Sequence, residues 1–347
     1  MPIPDKAIFN LEKKILSKSN KKYCLLTGNG TTGIYLAIKC LGLLKPRVLM
    51  PNSVCHNVHL AIILAGGIPV FIDIDKHNLG IEIDDLKNYK NIDIIIAPHS
   101  YGNPCNIFKI KKYCNRNKII LIEDCAMVSN AKLKNKYYGN FGDFSIQSFG
   151  KDKILDLEYG GAVLNNNYEL HKKMKSIISK INKINKIQLQ EIKNINKNFK
   201  YIYNSFFLTK KFNDISKCYK NRILNKSKNL LFAIDKKQTN IIYKKIDFTN
   251  SLIKKKMKNF DYILNLFNKF KFKNIEYIKI NKQAIPWRFN ILILKNRNIL
   301  FRKILDLNLP ISSWYAPNNI FLSKKTNISN LKNSYDLANT ILNIPLN

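Results

Sequence analysis

Between residues 20 and 165, short β-like runs alternate with helical stretches, and this alternation restricts the fold more than any other feature of the chain. The runs 22–26, 47–51, 69–75, 92–100, 118–124, 144–149 and 160–165 are largely apolar and short enough to be buried strands. Helical spacing fills 34–44, 58–66 and 107–117. Strands alternating with helices predict an α/β layered domain whose central, mainly parallel sheet is sandwiched by helices. Sheets of this kind receive ligands where loops leave the carboxyl ends of the strands.

Residues 166–245 differ in texture. They contain neither Gly nor Pro and are rich in Lys, Asn and Ile at helical spacing, which predicts amphipathic surface helices completing a large domain over 1–245. From 246 the pattern is mixed, with a helix at 251–267, strands at 275–280 and 286–294, and a further helix at 299–307. We read 246–347 as a smaller C-terminal domain. No internal repeat is present.

The formal charge of +36 comes from 59 lysines and arginines against 23 acids in 347 residues, and six of the 59 are arginines. Arginine is the residue that bidentate phosphate and base contacts favour. The lysines run from Lys6 to Lys325 among Asn, Ile, Tyr and Phe, the residues of A/T-rich codons. The charge therefore reads as a solvated surface, and no specific nucleic-acid partner is expected. No run of 18 apolar residues lacks a charge, so no membrane insertion is expected. The first residues carry no basic region followed by an apolar stretch, which predicts no signal peptide. The seven cysteines (Cys24, Cys40, Cys55, Cys105, Cys114, Cys125 and Cys218) are odd in number and form no CxxC pair. That predicts reduced thiols in the cytoplasm, with neither a disulfide framework nor a metal site.

Three features carry chemistry. Gly28-Asn29-Gly30-Thr31-Thr32-Gly33 lies between a strand and a helix. Such a turn offers backbone N–H groups and the positive end of a helix dipole to a phosphate, although it also serves as a plain turn. Asp124 ends an apolar strand, where it either faces a ligand crevice or caps a helix starting at Cys125. Ser148-Phe149-Gly150-Lys151-Asp152-Lys153 follows another strand, and Gly160-Gly161 opens the next.

The order of these motifs resembles the DegT/DnrJ/EryC1/StrS family of fold-type I enzymes that use pyridoxal 5'-phosphate (PLP). The resemblance rests on NGTTGIYLAI (29–38), PNSVCHNVHLAIILAGGIPVFIDID (51–75), HSYGNP (99–104), LIEDCAM (121–127) and GNFGDFSIQSFGKDKILDLEYGGAV (139–163), and returns at 286–347. It implies that Lys153 carries PLP, with Lys151 the neighbouring competitor, and that Asp124 pairs with the pyridine nitrogen so that the ring becomes an electron sink. Ser148 and the backbone of Gly30, Thr31 and Thr32 would hold the 5'-phosphate. Cys55 or His56 would stand where the family stacks an aromatic ring on the cofactor, and Met127 where it has Gln or His. Tyr159 stands where the family has Glu. Lysine at 153 favours transamination over dehydration. The resemblance further implies a nucleotide-linked keto-sugar as substrate, glutamate as amino donor, and a homodimer with active sites at its interface.

Overall fold

The structure, a computed structural model, describes residues 6–129, 131–133, 136–209, 217, 219–321 and 328–346. Helix α1 (Lys6–Leu16) precedes strand β1 (Tyr23–Thr27) and helix α2 (Gly30–Lys39). Strand β2 (Arg47–Pro51), helix α3 (His56–Leu64) and strands β3 (Ile68–Ile72) and β4 (Ile94–Pro98) follow. Helix α4 (Ile107–Asn117), strand β5 (Ile120–Asp124), a small hairpin of β6 (Lys132–Leu133) and β7 (Lys136–Tyr137), β8 (Phe144–Ser148) and β9 (Gly161–Asn165) complete the layered region. The seven-stranded sheet has the order β1-β9-β8-β5-β4-β2-β3.

Pairs β3/β2, β2/β4, β4/β5 and β5/β8 are parallel, whereas β9 runs antiparallel to both β1 and β8. The sheet is thus mainly parallel with one inverted strand. A parallel return would need a crossover, usually through a helix. The connection 149–160 contains no helix, so the chain turns straight back beside β8. That turn leaves residues 149–160 at the carboxyl end of β8, among the ends of the parallel strands.

Both sheet faces are covered, which is why the strands read as continuous apolar runs rather than alternating ones. Ile122 packs on one side with Ile34, Val58 and Ile146, while Leu121 packs on the other with Ile95, Ile110 and Cys114. Each such side chain contributes about 1.5–3 kcal/mol on burial. Gly30 to Gly33 of the glycine turn form the first turn of α2, so the helix starts four residues before its apolar spacing becomes legible.

Helices α5 (Tyr168–Ile178), α6 (Lys186–Thr209) and α7 (Lys236–Lys245) cover 166–245, with irregular helical turns at 219–230. These residues are not all surface. Ile195, Phe199, Tyr219 and Ile223 are fully buried with Leu60, Ala316 and Phe321. The sequence reading missed this second apolar contact because its partners come from distant segments. Helix α8 (Thr249–Phe270), strands β10 (Ile275–Tyr277) and β11 (Phe289–Ile293), helices α9 (Arg297–Asp306) and α10 (Lys332–Thr340), and strand β12 (Ile341–Ile344) form the C-terminal part. Its antiparallel sheet, β10-β11-β12, packs Phe289, Ile291 and Leu342 against Phe260 of α8 and Phe301 of α9.

The six described cysteines are free, and Cys218 lies outside the described residues. Among the described residues no helix is long and apolar enough to cross a membrane.

Candidate active site

Two glycine motifs that are far apart in sequence meet at the carboxyl end of the sheet. Gly160 N–H donates to Gly28 O, and Gly28 N–H donates to Phe232 O at 3.0 Å. A Cβ on Gly28 would fall on the Phe232 ring, and one on Gly161 would lie 2.6 Å from the Asn29 carbonyl carbon. Only glycine permits these approaches, and Gly160 also has φ +127°.

The packing fixes the N-terminus of α2. Asn29 caps it by accepting the Thr32 N–H at 2.8 Å, and Thr27 Oγ1 donates to Asn29 O at 2.8 Å. Thr32 is fully buried, and its hydroxyl bonds Asn29 Oδ1 and receives Phe232 N–H. Thr32 is therefore committed within the protein, and the first-turn N–H groups of Gly30 and Thr31 are those without an intrahelical acceptor. A Cβ on Gly30 would sit 3.4 Å from Ser148 Cβ and 3.7 Å from Ser148 Oγ. A hydroxyl, two N–H groups and a helix dipole thus converge where an anion would be stabilised.

Asp124 ends β5 and is 7% exposed. Its one side-chain hydrogen bond among the described residues is from Ala126 N–H to Oδ1 at 3.0 Å. Burial pushes the carboxyl above its ordinary value, and the Ala126 N–H, Lys153 and His99 oppose that shift. A buried carboxylate without a close cation is costly, so this site favours a cation beside it. A protonated ring nitrogen is such a cation.

Lys153 is half-buried in the β8–β9 connection, whereas Lys151 is exposed. The Lys153 charge acts on Asp124, Cys55 and His56, so it bears on the ends of β5 and the start of α3 together. Among the described residues Lys153 forms no ion pair. It opens on a crevice of about 390 Å³ walled by Trp287, Arg288 and Trp314, with Lys151 and Lys256 on its rim.

The remaining predicted positions diverge. Cys55 is the half-buried residue preceding α3, and burial raises its thiol while Lys153 opposes this. His56 instead stacks on Phe199, ring centroids 3.2 Å apart, and burial holds it well below the usual histidine range. Met127 packs with the cluster of Tyr101, Trp287 and Tyr315. The Tyr159 hydroxyl donates to Asp235, which caps α7, so this departure from the family pattern is taken up by local packing.

Sequence reading passed over two buried polar connections. Glu123 Oε1 accepts Gly139 N–H, Oε2 accepts Phe141 and Gly142 N–H, and His99 Nε2 lies 3.1 Å from Oε1. Glu123, His99 and Cys125 have donor atoms close enough for a metal, but this carboxylate is already committed to three N–H groups and an imidazole. Asn52 Nδ2–H donates to Asn319 Oδ1 and the Asn319 backbone N–H donates to Asn52 Oδ1, each at 2.9 Å, tying the end of β2 to the C-terminal part.

A family profile matches residues 5–347, nearly the whole chain. The chain belongs to the DegT/DnrJ/EryC1/StrS aminotransferase family. Within the family it is similar to the GDP-perosamine synthase of Escherichia coli O157:H7, 30% identical over 48% of this chain and 46% of that protein. It is similar as well to the dTDP-4-amino-4,6-dideoxy-D-glucose transaminase of Shigella dysenteriae, 29% identical over 47% and 45%. The chain spans about half the length of the curated relatives it matches. Among solved structures, NtdA of Bacillus subtilis with bound cofactor PMP superposes with a TM-score of 0.71 at 19% identity, over 98% of this chain and 72% of that one.

The DegT/DnrJ/EryC1/StrS cofactor implied by the motifs, PLP, fits the residues present. The N–H groups of Gly30 and Thr31 beside Ser148 suit its phosphate, the buried carboxyl of Asp124, without an ion pair among the described residues, suits its ring nitrogen, and Lys153 is the lysine whose charge bears on Asp124.

Proposed function

We propose that this chain is a PLP-dependent aminotransferase that moves an amino group from an amino-acid donor, glutamate, to a nucleotide-linked keto-sugar in glycan biosynthesis. The observation that carries this reading is the convergence of Lys153, Asp124, Ser148 and the α2 N-terminus at one end of the sheet. PLP supplies the aldehyde that Lys153 can hold and a ring that takes up electrons from the donor carbon. Asp124 would hold the ring nitrogen in its protonated form, and the Lys153 amine would hold and return the proton at the reacting carbon.

Lys151, Lys153, Lys200 and Lys256 outnumber Asp152 and Asp156 along the crevice, which supports an anionic substrate such as a sugar nucleotide. Two relatives bear names of GDP- and dTDP-linked sugar enzymes, which supports the same substrate class. A homodimer in the cytoplasm, with the site at its interface and no specific nucleic-acid partner, completes the reading.

The test is reduction of the PLP-loaded protein with borohydride, followed by peptide mapping and assay with glutamate and keto-sugar nucleotides. We expect the adduct on Lys153 and its loss in Lys153→Ala. An adduct that persists in Lys153→Ala would overturn the lysine assignment, and a wild type that takes up no PLP would make the chain a non-catalytic binding protein of this fold. An adduct on Lys153 without amino transfer would point to dehydration or another keto acceptor.

A further inference from the structure

The loop bearing Lys153 is held from outside by the C-terminal part of the chain. Trp287 Nε1–H donates to Asp152 O at 2.8 Å, and Arg288 Nη2–H donates to Asp152 Oδ1 at 2.9 Å. The other arm of the guanidinium donates to Ser312 Oγ at 2.7 Å, and its carbon lies 4.4 Å from the Trp287 ring centroid. The Arg288 side chain is 12% exposed and that of Asp152 46% exposed, so the guanidinium is largely covered while the carboxylate it holds still meets water.

Both bonds land on the residue before Lys153. The carbonyl that Trp287 holds belongs to the peptide unit joining Asp152 to Lys153, so its orientation bears on the direction in which Lys153 leaves the backbone. Asp152 itself has φ +61°, a left-handed conformation that a non-glycine residue adopts at a cost. Within the loop, Asp152 N–H donates to Asp156 Oδ1 at 2.8 Å, and Lys153 N–H reaches Gly150 O at a long 3.3 Å. Beyond that long Lys153 N–H bond, the Asp152–Lys153 peptide plane has no other fixed partner than Trp287 among the described residues.

We infer that Trp287 and Arg288 are positioning residues for Lys153, acting through Asp152. They couple the placement of the C-terminal part to the aim of the lysine. Displacing that part frees the peptide plane and lets Lys153 turn away, whereas seating it restores the aim. The inference rests on the reading of Lys153 as the PLP-bearing lysine.

The test uses Trp287→Phe, which keeps an aromatic ring and removes the N–H, together with Arg288→Gln, Arg288→Lys and Asp152→Asn. Each full-length variant is mixed with PLP. Noncovalent uptake is followed by fluorescence quenching, covalent attachment by stopped-flow absorbance, and cofactor orientation by visible circular dichroism. Thermal midpoints establish that each variant is folded.

We expect Trp287→Phe and Arg288→Gln to bind PLP noncovalently as wild type does, to attach it about five- to tenfold more slowly, and to alter the visible dichroism. Arg288→Lys should recover part of the rate, and Asp152→Asn, which keeps both acceptors but loses the charge, should fall between wild type and Arg288→Gln. Wild-type attachment rates and dichroism in a folded Trp287→Phe would overturn the inference. Should Trp287→Phe fail to fold, Arg288→Gln against Arg288→Lys decides the same question. Failure of the underlying reading looks different, because wild type itself would then give no borohydride-fixed adduct on Lys153.

Discussion

Gly161 lies bare against the backbone of Asn29, with space for no Cβ between them: one would fall 2.6 Å from the Asn29 carbonyl carbon and 2.9 Å from Gln147 O. The start of β9 thereby braces the N-terminus of α2, and the helix that would receive a phosphate is held by the strand that follows the lysine loop. Gly161→Ala should push the two apart. We expect a loss of about 1–3 kcal/mol in urea unfolding and weaker PLP binding by titration. Unchanged PLP affinity in a destabilised variant would show that the brace serves stability alone.

Asp124 gives a prediction with opposite signs for stability and function. Burial raises its carboxyl, so the folded protein holds that proton to higher pH than an unfolded aspartate does. Stability therefore falls as pH rises through the interval between the two values. Asp124→Asn removes this dependence and keeps an oxygen for the Ala126 N–H. Without PLP, the variant should melt higher than wild type at pH 8. With PLP, amino transfer should drop by about 10²–10⁴-fold. A variant that melts lower and transfers normally would contradict both halves.

Glu12 supplies a second pH dependence, away from the site. It accepts the Leu26 N–H at 3.2 Å, and burial pushes its carboxyl up to about 7, against the opposing Leu26 bond and Lys175 charge. An unfolded glutamate titrates near 4.5. The folded state thus binds more protons between those values, and stability declines as pH rises across that window, then levels off. In Glu12→Gln the decline should flatten, leaving the variant more stable than wild type at pH 8 by about 1–2 kcal/mol. Denaturation curves recorded from pH 4.5 to 8 would refute this by running parallel for the two proteins.

Asp73, buried at the end of β3, ties down α10. Its Oδ1 accepts Ser334 N–H at 2.8 Å and the Ser334 hydroxyl at 2.6 Å, and Oδ2 accepts Asn333 N–H at 2.7 Å. Asp73→Ala orphans donors at a helix N-terminus, and we expect a loss of about 2–3 kcal/mol in chemical denaturation. Hydrogen exchange should accelerate first in α10 and β12. Uniform acceleration across the central sheet would instead assign Asp73 to the main core.

Sequence alone was enough to locate the seven strands of the large sheet to within a few residues, because burial on both faces writes itself as short apolar runs. It also proposes Lys153 among 53 lysines as the cofactor lysine, through Ser148 five residues before and Gly160-Gly161 seven and eight after. These are local facts: spacing within one strand–loop–strand unit. What the tertiary structure decided is which distant groups meet there. The inversion of β9 follows from a connection without a helix and sets the lysine loop at the strand ends. The turn of His56 into Phe199, the bond from Gly28 to Phe232, and the bonds from Trp287 and Arg288 to Asp152 all join residues brought together only by packing. Periodicity records that a face is buried, not which partner buries it. In a chain this rich in Asn and Lys, the residues that make long-range polar contacts look, in sequence, like those that face water.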